Sequence, residues 1–402
     1  MSKSKYFTGQ PIISQVIGLI PRSKVFQLAR QLHSDHYYKK FKTYNHLVSM
    51  LYTIMSGCTS IREVVTGLMA CSGKLNHLGI DYTPRKSTLS DANCNRDHMV
   101  FEAIYQYLYK RYASFLPDSR PEKWFKRLFI VDSTTIALFQ EVLKNAGRSP
   151  MNGKRKGGVK AHTLIKADEG VPQVVRLTAA AANDAPFIKQ LNLPVGSIVT
   201  FDMAYYSYSV WLQWTKDKIW FVTRKKQGIV YTVLKDREVK EAQIKKGVIF
   251  DQEVLLGGKD NKKVSKVRVR LIKYFDEEKQ LELTFVTNNL KMAPYTIASI
   301  YQKRWQIEVL YKRIKQNYPL KYFLGDNENA IKTQIWCALI VDLLMKCIHK
   351  QIRRKWAFSN LTSMIRLHLL SYIDLIRFLE NPDNIIKEWE KTILPRPPSL
   401  FN

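Results

Sequence analysis

Two short apolar runs each lead into an aspartate. Leu128-Phe129-Ile130-Val131 runs into Asp132, and Ser197-Ile198-Val199-Thr200-Phe201 runs into Asp202. A strand end places a side chain at the rim of a sheet, where sites form, so each carboxylate leaves a buried environment in need of a partner. Either aspartate taken alone also reads as a turn or helix-cap residue. A third acid lies on a segment of helical periodicity. Tyr301, Arg304, Glu308 and Lys315 fall within roughly a 60° arc at about 100° per residue, while Ile307, Leu310 and Ile314 gather on another side, suited to packing on a sheet. Such a helix can serve two ligands, a metal at Glu308 and phosphate at Arg304 and Lys315. An amphipathic surface helix with an Arg304–Glu308 pair, worth only a few tenths of a kcal/mol, uses the same spacing.

Three carboxylates can hold two magnesium or manganese ions and leave coordination sites for water and phosphate. A pair of metals about 3.5–4 Å apart relieves charge on the attacking and leaving oxygens of phosphodiester cleavage. That chemistry needs no cysteine or histidine cluster, and the sequence holds none at zinc-binding spacing.

The elements that must position these groups form an α/β pattern. Residues 1–120 read as helical, with three- and four-residue apolar spacing at 45–55. Pro117 to Pro121 forms a linker. Strands are expected at 128–131 and 159–166, the second returning through Ala167-Asp168-Glu169-Gly170 into 171–178 as a hairpin. A short helix at 184–191, a strand at 197–201, a helix at 205–216 and a strand at 219–223 follow. The pattern from 224 to 288 is β. Residues 295–317 read as one helix, 331–352 as another, and 361–379 as a third beyond the basic Arg353-Arg354-Lys355, with a Pro-rich tail from Asn381. The pattern divides the chain into a helical part (1–120), an α/β part (121–223), a β-rich part (224–290), a helical part (291–345) and a helical C-terminal region with the tail (346–402).

Composition narrows the partner. The chain has 402 residues, 46% of them hydrophobic and 12% aromatic, enough for well-filled cores. Lys and Arg number 64 against 34 Asp and Glu, a formal net charge of +30, which calls for a polyanion. The basic residues are spread along the chain, whereas a membrane-surface protein concentrates them in one amphipathic stretch, so nucleic acid is the expected partner and a membrane is not. No signal-like start is present, and the apolar stretch 335–345 is too short to span a bilayer and contains Asp342. The expected location is the cytoplasm, on the nucleoid. The five cysteines, Cys58, Cys71, Cys94, Cys337 and Cys347, are scattered and read as reduced core residues.

Two further basic segments bear on DNA. Arg85-Lys86 precedes a polar cap and a helix that carries Asn93 and Arg96 about one turn apart, suited to groove or phosphate contact or to an ordinary capped helix. Gly153-Lys154-Arg155-Lys156-Gly157-Gly158 lacks the spacing of a phosphate-binding loop and reads instead as a basic loop near Asp132, touching DNA backbone with Lys154, Arg155 and Lys156, or simply solvated. His162 is expected to be structural, and Trp211, Trp214 and Trp220 to be core residues.

The spacing Tyr301-x2-Arg304-x3-Glu308-x6-Lys315 resembles the YREK signature of DDE transposases of insertion-sequence family 4. The similarity extends to Val131-Asp132-Ser133-Thr134 and to Phe201-Asp202-Met203-Ala204-Tyr205, where many members carry Gly in place of Ala204, and to Leu19-Ile20-Pro21-Arg22 and Ser60-Ile61-Arg62-Glu63 in the helical N-terminal part. The resemblance implies an α/β, ribonuclease-H-like catalytic core in two parts (121–223 and 291–345) with a β-rich insertion between them (224–290), preceded by a helical N-terminal DNA-binding domain (1–120). It also implies a catalytic triad of Asp132, Asp202 and Glu308 on two divalent ions, Mg2+ or Mn2+, and cut-and-paste DNA transposition by a homodimer, and it makes the nucleic-acid partner double-stranded DNA, the transposon ends and the target. A DNA-binding repressor without catalysis and a metal-dependent nuclease without strand transfer are the alternatives.

Overall fold

A computed structural model of the chain describes residues 9–118, 122–137, 147–148, 156–257 and 266–384. They belong to two compact units, one of residues up to 115 together with those from 313 onward, the other of residues 116–312. In chain order the helices α1 (Ile12–Ile17), α2 (Arg22–Gln31), α3 (Thr43–Ser56), α4 (Ile61–Ala70), α5 (Leu75–Leu78), α6 (Lys86–Asn95) and α7 (Met99–Tyr112) come first. Next are strands β1 (Leu128–Ala137), β2 (Gly147–Arg148), β3 (Lys156–Lys166) and β4 (Pro172–Ala179), then α8 (Ala185–Ile188), β5 (Ile198–Phe201), α9 (Tyr208–Lys216) and β6 (Trp220–Arg224). After β7 (Tyr231–Asp236), α10 (Glu241–Ile244), β8 (Val248–Leu256), β9 (Val267–Asp276) and β10 (Leu281–Thr287) lie α11 (Pro294–Gln302), α12 (Trp305–Asn317), α13 (Glu328–Gln351), α14 (Phe358–Leu367) and α15 (Leu375–Glu380).

The first unit is helical. Apolar residues at three and four spacing make α3, and Leu47, Val48, Met50, Leu51 and Ile54 are all at most 1% exposed. Gly57 ends it at φ +79°, a left-handed position that favours a residue without Cβ. The start of α4 is fixed by reciprocal caps. The Ser60 hydroxyl accepts from the Glu63 N–H at 3.2 Å, and the Glu63 carboxylate accepts from the Thr59 N–H at 2.7 Å. Helix α13 is buried along nearly its whole length, and its Trp336 packs on Tyr105 with ring centroids 5.6 Å apart.

In the second unit, the strands among the described residues form one ten-stranded sheet in the order β2-β3-β1-β5-β6-β10-β9-β8-β7, with β4 also paired to β3. The β1–β3 and β3–β4 pairs are antiparallel, whereas β1–β5 and β5–β6 are parallel. A parallel pair needs a crossover, and α9 supplies it between β5 and β6. Every residue of β5 is buried, as expected of a strand covered on both faces. Phe201, Trp211, Trp214 and Phe221 form the aromatic centre of the core, so Trp211 and Trp214 lie in the core as the sequence predicts, while Trp220 is half-buried. The β-rich stretch after β6 builds no sheet of its own, because β10 pairs antiparallel with β6 and carries the sheet outward to β7.

Several elements differ from the sequence reading. The strand expected to end on Asp132 runs through it to Ala137, and the stretch read as β from 224 to 288 contains the short helix α10. The helix expected over 295–317 is interrupted at Lys303-Arg304, giving α11 and α12. The helix expected over 361–379 is two helices, α14 and α15. Part of the linker between Pro117 and Pro121, Lys154 and Arg155, and most of the Pro-rich tail lie outside the described residues. Among the described residues, no helix is long and apolar enough to cross a membrane.

Candidate active site

Strand register brings the two aspartates together. Val131 on β1 lies opposite Phe201 on the parallel strand β5, so the next residue of each chain segment, Asp132 and Asp202, emerges at the same point of the sheet. There β5 ends, while β1 continues against β3. The buried hydrocarbon of Val131 and Phe201, both 0% exposed, anchors the strands up to the position where the acids begin.

Glu308 arrives from α12. The interruption at Lys303-Arg304 starts a new helix at Trp305 and leaves Glu308 in its first turn, where the helix dipole favours an anion. Ile307, Leu310 and Ile314 are buried, at 0%, 2% and 7% exposure, the apolar side the spacing predicts. Arg304 stands at the joint and bridges two of the acids. Its Nη1 donates to Asp132 Oδ2 at 3.1 Å, and its Nη2 donates to Glu308 Oε1 at 2.5 Å. The Arg304–Glu308 pair expected on one helix is therefore present, but it is half of a bridge to a strand far away in sequence.

Asp132 is held from several sides. The Ser133 N–H donates to its Oδ1 at 2.8 Å, and the Tyr311 hydroxyl donates to its main-chain oxygen at 3.0 Å. Burial pushes the Asp132 carboxyl up to about 6; the Ser133 N–H and Arg304 pull it down, and the neighbouring charges of Asp202 and Glu308 push it up again. These acids therefore crowd one another and favour a cation among them. Tyr301 is 8% exposed and packs on Phe285 with ring centroids 5.1 Å apart, its own ring 5.8 Å from the Arg304 guanidinium carbon. It supports Arg304 rather than facing outward, a correction to its expected DNA contact.

A polar cluster missing from the sequence reading lies just beyond the two aspartates, at Ser133 directly after Asp132 and at Tyr205 three residues after Asp202. Asp184, just before α8, accepts from the Ser133 hydroxyl at 2.8 Å and lies 3.4 Å from Lys160 Nζ and 3.3 Å from His162 Nδ1. His162, 1% exposed, also meets Thr178 Oγ1 at 3.0 Å and the Tyr205 hydroxyl at 3.5 Å. Ser133 follows Asp132, and Tyr205 lies in the short turn Met203–Tyr205 after Asp202, so the cluster ties the two acid-bearing segments together. His162 is structural, as its place in a strand suggests. The one sequence signal for Asp184 is the helix start Asp184-Ala185-Pro186.

The expected DNA-facing residues divide. Arg85 and Lys86 are exposed at the start of α6, and Lys315 is exposed in the last turn of α12. Asn93 and Arg96 are buried at 1% exposure each, which corrects their expected contact with DNA. Asn93 Oδ1 pairs with His46 Nε2 at 2.7 Å, and Arg96 donates to the main-chain oxygens of Ser34 at 3.2 Å and Phe41 at 2.6 Å. Lys156 begins β3 opposite Arg148. The cysteines are free, and all but Cys94 are buried.

Among the described residues, no three His, Cys, Asp or Glu side chains already stand as a metal cage. The donor chemistry nevertheless fits a hard cation. Asp132 and Glu308 turn carboxylate oxygens toward one positive group, with Asp202 beside Asp132 and no soft ligand among them.

Residues 123–344 match the family model described as Transposase DDE domain. The chain belongs to that family. Residues 8–81 match a second model, a domain of unknown function (DUF4372). A putative transposase, y4zB, of Sinorhizobium fredii is 32% identical over 288 residues, 70% of this chain and 77% of that protein. A probable transposase for insertion sequence element IS5377 of Geobacillus stearothermophilus is 27% identical over 252 residues, 63% of this chain and 62% of its own length. The cryo-EM structure of the piggyBac transposase synaptic complex with hairpin DNA aligns over 98% of this chain and 89% of its own, at 9% identity and a TM-score of 0.46. The DDE domain model spans Asp132, Asp202 and Glu308 alike.

Proposed function

We propose that this transposase cuts phosphodiester bonds at the ends of its element and joins the 3′ ends to target DNA, with Asp132, Asp202 and Glu308 as ligands of two divalent cations. The observation that carries the reading is the meeting of Asp132 and Glu308 on one guanidinium, with Asp202 on the adjoining parallel strand. Acids from two separate elements are drawn to one positive charge, and the third stands next to Asp132 on the adjoining strand. Magnesium or manganese, when bound, supplies charge relief to the attacking and leaving oxygens. The protein's own residues orient the ligands and hold the DNA. The Ser133 N–H fixes one oxygen of Asp132, and Asp184 with Ser133 and Tyr205 braces the two aspartate segments. Arg304, Lys315, Arg85, Lys86 and the basic 154–156 segment neutralise DNA phosphates.

The same proposal includes a ribonuclease-H-like core, supported by the run β4-β3-β1-β5-β6, in which antiparallel strands give way to parallel ones beside the acids. Membership of insertion-sequence family 4 is supported by the Tyr301, Arg304, Glu308 and Lys315 spacing. Residues 1–120 read the element's ends, 224–290 are an insertion in the core, and two copies act together on the nucleoid DNA of the cytoplasm.

The test is cleavage of linear duplex taken from the flanks of this reading frame, with Mg2+. Asp132→Asn, Asp202→Asn and Glu308→Gln are each expected to reduce cleavage to background while duplex binding persists. Undiminished cleavage by any one variant removes that residue from the triad, and binding without cleavage by the unaltered chain favours a repressor.

A further inference from the structure

We infer that Arg304 is a resident counter-cation that makes metal loading of the acidic site conditional on DNA. The inference rests on the reading of Asp132, Asp202 and Glu308 as cation ligands. Arg304 occupies the oxygens a metal would need. Its Nη1 lies 3.1 Å from Asp132 Oδ2 and its Nη2 2.5 Å from Glu308 Oε1, and all three side chains are partly exposed, at 18%, 16% and 32%. Oxygens that already serve the guanidinium offer a metal less negative charge, and the guanidinium itself repels a second cation, so metal affinity rises as the guanidinium leaves.

A second, independent feature points to what the guanidinium leaves for. Arg304 Nε is buried and has no hydrogen-bond partner among the described residues. Only the tips of the fork are engaged, and a buried donor left unpaired is unfavourable. A phosphate takes an arginine fork with two parallel N–H···O bonds, which would satisfy Nε together with one Nη. Arg304 also sits at the joint between α11 and α12 rather than within either helix, where the backbone bond it makes is to Tyr301 O at 3.0 Å. A side chain rooted at a joint, over the Tyr301 ring, can change partners without breaking a helix.

The exchange then has a definite order. Without DNA, Arg304 neutralises Asp132 and Glu308 and keeps metal affinity low. A DNA phosphate draws the guanidinium away, the acids are left with uncompensated charge, and metal binds. By linkage, metal must tighten DNA binding by the same factor.

The experiment is Mn2+ binding to the full chain, followed by the electron paramagnetic resonance signal of free Mn2+, with and without linear duplex from the flanks of the reading frame. In the absence of DNA, Arg304→Ala and the closer isostere Arg304→Gln are expected to bind Mn2+ about tenfold or more tightly than the unaltered chain, within the usual range of coupling. Duplex should tighten Mn2+ binding by the unaltered chain and leave that of the variants unchanged. Equal or weaker Mn2+ binding by both variants without DNA overturns the exchange, as does an unaltered chain whose Mn2+ affinity ignores duplex. Asp132→Asn added to Arg304→Ala separates the two layers of the argument. If the double variant loses the Mn2+ that Arg304→Ala binds, the metal site stands whatever becomes of the exchange; if it binds Mn2+ as tightly, the acidic site is not the metal site and both readings fall.

Discussion

Each unit sets an arginine among acids and aromatic rings, yet the two arginines are held by different kinds of partner. In the helical unit, the Arg96 side chain is 0% exposed, donates to the main-chain oxygens of Ser34 and Phe41, lies 3.5 Å from Asp35 Oδ1, and covers the Tyr38 ring at 3.9 Å. In the sheet unit, the Arg304 guanidinium donates to the side-chain carboxylates of Asp132 and Glu308 and is 18% exposed. Burial pulls the Arg96 pKa down. Burial pulls on Arg304 too, but Tyr301, Asp132 and Glu308 outweigh it and leave the pKa raised. Main-chain carbonyls cannot change partners while the chain stays folded, whereas carboxylates can trade a guanidinium for a metal. The same residue type is a rivet in one setting and an exchangeable counter-ion in the other.

The largest expected effect breaks that contrast at the rivet. Arg96→Ala leaves the carbonyls of Ser34 and Phe41 without their donor and Asp35 without its counter-charge, and is expected to destabilise the helical unit by about 3–5 kcal/mol, as loss of one partner from a buried charged network does. Arg304→Ala is expected to change stability by no more than about 1 kcal/mol, since its partners are reached by solvent. Urea midpoints of the two variants check this. Equal losses would show that Arg304 is as structural as Arg96.

A smaller effect sharpens the contrast on the side of the site. Asp184→Ala removes the acceptor of the Ser133 hydroxyl and the neighbour of Lys160 and His162, and is expected to cost about 1–3 kcal/mol. It should also lower the cleavage rate of bound duplex without weakening duplex binding, because it acts on the spacing of Asp132 and Asp202. Weakened duplex binding at an unchanged cleavage rate would assign Asp184 to DNA contact instead.

These contrasts explain what was legible in the sequence. The two aspartates could be found because an apolar β-branched run leading into Asp is a local pattern, although only Asp202 follows a strand end and Asp132 lies within β1, and the buried side of α12 because Ile307, Leu310 and Ile314 repeat at helical spacing. The break at Lys303-Arg304 could not, since neither glycine nor proline marks it and Ile300 and Ile307 continue the apolar rhythm through it. Its cause is tertiary: Arg304 reaches a strand more than 170 positions away. Asn93 and Arg96 misled for the related reason that polar side chains are mostly exposed, and their burial depends on partners far off in the chain, His46, Ser34 and Phe41. Asp184 was read only as the start of a helix, because its partners come from β1 and β3.

Per pH unit, the change is at most about 1.4 kcal/mol for one proton, and the two clusters should respond to pH with opposite sign. His46 in the helical unit is pushed down to about 3 by burial first and the Arg96 charge second, with Asn93 partly opposing, against an ordinary value of 6.5. The unfolded chain therefore takes up a proton that the folded unit refuses. His46 contributes stability that is full above pH 6.5 and declines as pH falls toward 3, by at most about 1.4 kcal/mol per pH unit for one proton. Asp132 in the sheet unit is raised from 3.8 to about 6, so its contribution is full below about pH 3.8 and is lost as pH rises through 6. Hydrogen exchange between pH 4 and 6 can read the two separately, α3 amides losing protection toward the acid end and β1 amides toward the neutral end. His46→Gln keeps an amide donor for Asn93 but binds no proton, and should flatten the α3 slope while leaving that of β1 unchanged. An α3 slope as steep in His46→Gln as in the unaltered chain would place the acid sensitivity of the helical unit on other groups.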